Sequence, residues 1–184
     1  MINLAFNQNL FDLFFGLAHQ NVFLDYLGIF FADYMQYVLA AIFLVLFFSK
    51  NHQKQHRTMV VVATMSAVAA RYIVKPLIVF FYAEPRPFIA LTQIKPLVKV
   101  MTSENLQSFP SGHTLFFFAL STTVFLFNKK LGVWFLISAA LISFARIYVG
   151  VHWPIDVFAG VIIGILTGKA GHYLYKKFGQ KKIK

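Results

Sequence analysis

Apolar residues dominate five stretches of the chain, at about 24–48, 58–82, 112–127, 131–149 and 154–175, and polar residues collect in the short intervals between them. A helix needs about 20 apolar residues to cross the hydrocarbon core of a bilayer, so the pattern predicts membrane spans, of which the third and fourth are short. Lipid offers the backbone no partner, and a helix satisfies its own polar groups. The expected fold class is therefore all-α: a polytopic membrane helical bundle of about five transmembrane helices, occupying residues 1–184 as a single domain. Residues 1–20 differ. Asn3, Asn7, Gln8, Asn9 and Asp12 interrupt their apolar positions, and no Lys or Arg supplies the basic start of a signal peptide, so an N-terminal helix lying in the membrane interface is expected there.

Composition narrows the picture. With 59% hydrophobic, 18% aromatic and 12% charged residues among 184, the chain is too apolar for an ordinary soluble domain and has no length for a second one. It contains no cysteine, which excludes disulfides and thiol chemistry. The formal charge of +11 sits in short basic runs at span ends, among them Lys50, Lys54 and Arg57, then Lys129 and Lys130, then the lysines of the tail at 176–184. Contact with anionic lipid head groups accounts for these runs without nucleic acid. By the positive-inside rule they face the cytoplasm, whereas the N-terminus and the loop at 83–110 face outside. All six acidic residues, Asp12, Asp25, Asp33, Glu84, Glu104 and Asp156, then fall at or near the outer side. His19 belongs to the interfacial helix and His52, His56 and His172 to the cytoplasmic side, where solvated or head-group roles are expected.

Three polar clusters land on the outer face of the bundle: Glu84-Pro85-Arg86-Pro87, Phe109-Pro110-Ser111-Gly112-His113, and the stretch from Arg146 to Asp156. If Pro154 opens a helix, His152 precedes it and Asp156 lies one turn on, so the carboxylate can hold one ring nitrogen and leave the other free to attack. Phosphorus is a natural electrophile for such an imidazole, and Arg146 supplies a fixed charge for a phosphate oxygen. The structural alternative is that His152 caps a helix and Asp156 forms an ion pair with Arg146. In the second cluster Gly112 lets a ligand approach the backbone at a helix start, Ser111 adds a donor, and His113 stands where it can give a proton to a leaving oxygen. A plain helix start with Ser111 as N-cap is the alternative. Arg71 and Lys75, four apart in the second span, share a face and need an anion or carboxylates. Asp25 and Asp33 are candidate partners for Arg71, and phosphate is the favoured partner for Lys75.

Taken together, the clusters resemble the signature of the type 2 phosphatidic acid phosphatase (PAP2) superfamily, which runs Lys, Arg-Pro, Pro-Ser-Gly-His, then Ser-Arg, five residues, His, three residues, Asp. The matching residues are Lys75 with Arg86-Pro87, then Pro110-Ser111-Gly112-His113, then Arg146, His152 and Asp156, over about residues 71–156. Two positions depart from the pattern. Six residues usually separate the family's Lys from the Arg-Pro, a position held here by Val79, whereas ten separate Lys75 from Arg86, and Ala145 replaces the Ser before the motif Arg, with Ser143 nearby. The small size, Glu84-Pro85-Arg86-Pro87-Phe88 and the N-terminal helix look most like the bacterial undecaprenyl-diphosphate phosphatase branch associated with bacitracin resistance.

The resemblance implies a lipid phosphatase of the bacterial cytoplasmic membrane with its site facing outside. His152 is then the nucleophile, Asp156 its orienter and His113 the acid, with Lys75, Arg86, Ser111, Gly112 and Arg146 binding phosphate. Alternatives within the enzyme class are phosphatidylglycerophosphate, phosphatidic acid or lipid A phosphatases and phosphotransferases. A non-catalytic phospholipid carrier is the alternative of another class, and it leaves the oriented imidazole without a use. No cofactor or metal is implied, because Asp156 is committed to His152 and Glu84 is the only other carboxylate near the site. Activity should accordingly survive a chelator and be blocked by vanadate, which mimics five-coordinate phosphorus; magnesium-dependent recovery after chelation would contradict a histidine nucleophile acting alone.

Overall fold

The structure, a computed structural model, describes residues 4–49, 53–99 and 107–179. Lys50, His52, Glu104 and the end of the basic tail lie outside the described residues. Helices follow one another as α1 (Leu4–Phe15), α2 (Val22–Phe48), α3 (Lys54–Phe81), the short α4 (Pro87–Ala90), α5 (Gly112–Phe127), α6 (Lys129–Tyr148) and α7 (Pro154–Gly179). Four of them, α2, α3, α6 and α7, are long and apolar enough to cross a membrane, and α5 is a shorter apolar helix of 16 residues. The all-α expectation holds. The pairing of Pro85 with Gln107 is an isolated bridge, and the described residues form no named strand.

Local chemistry sets the helix ends. The Asn21 side chain accepts from the amides of Phe23 and Leu24, at 2.9 and 3.2 Å, and starts α2. Asn128 does the same for α6 through Leu131, at 3.1 Å. Pro154, whose missing N–H costs nothing in a first turn, opens α7. At its other end α3 starts earlier than the apolar pattern suggests. Lys54, Gln55 and Arg57 belong to its first turns, because their long unbranched side chains favour helix. Three spans contain one π-helical turn each, Phe30–Tyr34 in α2, Ala70–Val74 in α3 and Tyr175–Gly179 at the end of α7, and the first two carry the charges Asp33 and Arg71.

The bundle closes along a seam between α5 and α7. Gly160, Gly164 and Gly168 recur every fourth residue on one face of α7, and all three are buried. A methyl group built on Gly160 would stand 2.9 Å from Thr114 Cβ, one on Gly164 2.8 Å from the Leu115 carbonyl oxygen, and one on Gly168 2.5 Å from that of Ala119. Side chains of any size would force the helices apart. Between membrane helices there is little hydrophobic drive, since lipid is as apolar as the partner, so this close backbone approach is what holds them. Thr123 adds a hydroxyl hydrogen bond across the seam to the Gly168 carbonyl, at 3.2 Å.

Around the seam α2, α3 and α6 pack with Leu39, Phe43, Met59, Phe117 and Phe135 at the core, while Phe80, Phe81 and Trp134 point outward. The first helix is joined to the same bundle. Phe11 is fully buried, its ring centroid 5.1 Å from that of Trp153, and the Asn7 side chain accepts from the Ile155 amide at 3.2 Å. Thus α1 lies across the ends of α6 and α7 where the polar clusters meet, with Phe6 and Leu13 on its exposed face.

Replacing Gly164 by Val should separate α5 from α7 and destabilise the fold by about 1–3 kcal/mol, the usual cost of overpacking. Leu166→Ala, at a position 59% exposed on the same helix, should leave the melting temperature nearly unchanged. Melting curves of the two variants in detergent, with activity alongside, check the seam.

Candidate active site

The end of α6 turns the chain so that His152 comes back beneath Arg146. Gly150 adopts φ +82, a conformation open to glycine and strained for other residues. With that turn the Gly150 amide reaches the Ile147 carbonyl at 3.0 Å and the Val151 amide reaches the Arg146 carbonyl at 3.2 Å, the paired bonds of a Schellman ending. The His152 amide donates to the same Arg146 carbonyl at 3.2 Å. This accounts for the interval between Arg146 and His152: five residues finish the helix, reverse the chain and fold the imidazole back over the helix end.

Asp156 stands in the first turn of α7, fully buried, and its Oδ2 collects three contacts. The Trp153 amide donates to it at 2.8 Å, the Ser108 hydroxyl donates to it, and His152 Nδ1 lies 3.3 Å away. Ser108 Oγ is itself 3.2 Å from His152 Nδ1. The imidazole is 1% exposed, and its outer nitrogen, Nε2, faces Arg86 Nη1 at 3.5 Å. Burial, followed by the positive charges of Arg86, Arg146 and Lys75, pushes His152 well below the usual histidine range, so the ring is neutral at physiological pH. A neutral ring with one nitrogen engaged and the other turned toward a guanidinium has the arrangement that a histidine nucleophile requires.

Four cations surround this point. Arg86 is held by its Nη1 donating to the Val151 carbonyl at 3.2 Å. Arg146 is buried, with Nη1 on Asp33 Oδ1 at 3.1 Å and on the Ala32 carbonyl at 3.2 Å, while its buried Nε has no hydrogen-bond partner. Lys75 Nζ and Arg71 Nη1 both come up to the start of α5, where a methyl group built on Gly112 would meet them at 3.3 and 3.5 Å. The first amides of α5 have no carbonyl one turn back and complete an anion-binding surface there.

Backbone bonds fasten the pieces together. The Ser111 amide donates to the Asp156 carbonyl at 3.1 Å and ties the start of α5 to the start of α7. The Ser108 amide donates to the Glu84 carbonyl at 2.7 Å, and Trp153 Nε1 donates to the Pro85 carbonyl at 2.9 Å. The Phe109–Pro110 peptide is cis.

Every residue expected at the site is therefore at one end of the bundle. Lys75 reaches Gly112 from one helical turn below Val79, so the unusual spacing does not remove it from the site. Ser111 occupies the N-cap position but makes no side-chain cap bond, and its Oγ accepts from Thr114 Oγ1 at 3.1 Å. His113 follows on the first turn of α5, half-buried.

Two of the structural alternatives do not hold. Arg146 forms its ion pair with Asp33, not with Asp156, because the π-helical turn of α2 brings Asp33 against α6 and Asp156 is occupied by the Ser108, Trp153 and His152 groups. Arg71 is not the partner of Asp33 or of Asp25. Asp33 is taken by Arg146, and Asp25 accepts from the Tyr148 hydroxyl at 2.9 Å and from the His19 amide at 3.1 Å. Nor does Ser143 replace the hydroxyl missing at Ala145: its Oγ is buried without a hydrogen-bond partner. Ser108 and the Arg146–Asp33 pair escaped sequence reasoning. A serine just ahead of Pro110-Ser111-Gly112-His113 carries no spacing signal, and the Asp33 pairing joins residues 113 apart in the chain.

Comparison with known proteins agrees with this geometry. The family model described as PAP2 superfamily matches residues 60–180. Undecaprenyl-diphosphatase BcrC of Bacillus subtilis is 33% identical over 162 residues, 88% of this chain and 80% of that protein. The Bacitracin transport permease protein BcrC of Bacillus licheniformis is 35% identical over 138 residues, 75% of this chain and 65% of that longer protein. Among solved structures, that of Aquifex aeolicus LpxE is similar with a TM-score of 0.73 and 29% identity, covering 92% of this chain and 96% of the other. With the family model spanning the paired His152 and Asp156, the start of α5 and the helices that carry them, the chain belongs to the PAP2 superfamily and is a multi-pass membrane phosphatase.

Proposed function

We propose that this protein removes the terminal phosphate of undecaprenyl diphosphate at the outer face of the bacterial cytoplasmic membrane, with His152 as nucleophile. The observation that carries the reading is the His152 ring itself: Nδ1 lies 3.3 Å from the Asp156 carboxylate while Nε2 faces a phosphate-binding guanidinium, Arg86, at 3.5 Å. A binding protein needs cations at this point but no oriented imidazole.

In the first step the Nε2 lone pair forms a bond to the terminal phosphorus as the bond from phosphorus to the leaving oxygen breaks, and the electron pair departs with lipid phosphate. Arg86, Arg146 through its unpartnered Nε, Lys75, the Ser111 hydroxyl and the Gly112 amide hold the equatorial oxygens as charge shifts. In the second step water attacks the phosphohistidine, giving its proton to His113, and the P–N electron pair returns to Nε2. Inorganic phosphate is released, and the ring is neutral again.

Charge favours a diphosphate. Arg71 and Lys75 together approach Gly112, a second cationic locus besides the one where Arg86 faces His152. That is more than one phosphate requires. The name of the relative from Bacillus subtilis points to the same substrate class.

Leaving-group chemistry separates the two histidines. Lipid phosphate, with a second pKa of about 6 by analogy with phosphorylated side chains, can leave unprotonated, whereas the alkoxide released from a monophosphate ester needs a proton. His152→Ala should abolish turnover of both substrate types. His113→Ala should cost roughly 100 to 10,000-fold on a lipid monophosphate and much less on the diphosphate. Steady-state rates on matched prenyl mono- and diphosphates decide this; equal losses on both would withdraw His113 as the acid and leave it the role of binding phosphate or activating the second-step water. The sidedness is checked with single cysteines, because the native chain has none. At Thr92, exposed in the loop after α4, an impermeant thiol reagent should label intact cells, and at Gln55 it should not. The reverse pattern would place the site in the cytoplasm and end the recycling role.

A further inference from the structure

Ser108 lies outside the three motifs, yet it is completely buried and touches both members of the His152–Asp156 pair. The geometry points to Ser108 as the positioning residue that fixes the tautomer of His152, by bridging the ring nitrogen Nδ1 to the Asp156 carboxylate. The inference rests on His152 being the nucleophile.

The proton count leads to this assignment. A serine hydroxyl has one proton and two lone pairs, and an ionised carboxylate only accepts. The Ser108 proton is therefore used on Asp156 Oδ2, which turns a lone pair of Oγ toward Nδ1, 3.2 Å away. Nδ1 also faces Oδ2 at 3.3 Å, so both of its neighbours are acceptors. Only an N–H at Nδ1 satisfies them, and the lone pair of the neutral ring is thereby confined to Nε2. Asp156 by itself is a weak orienter here. Its distance to Nδ1 is beyond the usual range for an N–H···O bond, roughly 2.7–3.2 Å, and the same oxygen already receives the Trp153 amide at 2.8 Å. When phosphorus bonds to Nε2 the ring becomes cationic, and the chain from Nδ1–H through Ser108 to Asp156 spreads that charge onto the carboxylate without moving a proton.

Ser108 is also tied to the group on the other side of the ring. Its amide donates to Glu84, Gln107 pairs with Pro85, and the next residue, Arg86, faces Nε2. One short length of paired backbone thus positions the tautomer-setting hydroxyl and the phosphate-binding guanidinium against the same imidazole.

The test uses purified full-length protein with 15N-labelled histidine. In substrate-free wild type at mildly alkaline pH, His152, assigned by comparison with His152→Ala, should show protonated Nδ1 and unprotonated Nε2. Ser108→Ala should shift the signal toward a mixture of tautomers and lower kcat by roughly 10- to 100-fold with little change in KM, the range seen when a group orienting a reactive ligand is removed. Ser108→Thr, which keeps the hydroxyl, should retain the wild-type tautomer. If Ser108→Ala melts early, Ser108→Cys carries the same comparison with a weaker acceptor at similar volume. An unchanged kcat, or a reduced kcat with the tautomer signature intact, would overturn the role of Ser108. Failure of the phosphatase reading itself would look different: wild type would turn over no lipid phosphate, or His152→Ala would remain active, whatever the tautomer.

Discussion

The site depends on how closely α5 can lie against α7. His113 and the first amides of α5 belong to the first helix, and Asp156 to the second, so a site shared between them tolerates little error in helix spacing. Gly160, Gly164 and Gly168 remove the side chain at three successive turns of α7, and there the backbone comes up to α5. The bond from the Ser111 amide to the Asp156 carbonyl then sets the two helix starts in register at the end where chemistry takes place. A seam of this kind suits a membrane protein, in which association must come from packing and hydrogen bonds because water is not there to drive it.

Electrostatics is the second organising constraint. Four basic side chains, Arg71, Lys75, Arg86 and Arg146, gather at one end of the bundle. Such a concentration of charge at the edge of a bilayer is unfavourable unless answered. Asp33 answers part of it by pairing with Arg146, and its location in a π-helical turn of α2 is what brings it there. Asp156 is kept out of this pairing by the amide, hydroxyl and imidazole it serves. Burial, reinforced by the positive charges of Arg86, Arg146 and Lys75, keeps the His152 ring neutral.

Much of the architecture was legible in the chain because lipid makes the code simple. A span must be long, apolar and helical, and the expected spans at about 24–48, 58–82, 112–127, 131–149 and 154–175 correspond to α2, α3, α5, α6 and α7 with ends displaced by a few residues. The interval between His152 and Asp156 was legible as well, since four residues across a helix start fix a distance whatever surrounds them. The loops and π-helical turns were not. Nothing local requires Arg71 to ignore Asp33, or Lys75 to reach Gly112 from one turn below the usual position.

The sequence by itself determined that this is an all-helical membrane protein and that Arg86, Ser111, Gly112, His113, Arg146, His152 and Asp156 share one end of it, because hydropathy and short-range helix geometry depend only on neighbours along the chain. Tertiary structure alone decided which partner each charge takes and which hydroxyl completes the histidine. Asp33 reaches Arg146 across 113 residues, and Ser108 reaches His152 across 44. Contacts at such separations are set by the packing of whole helices against one another, and no local pattern of residues encodes them.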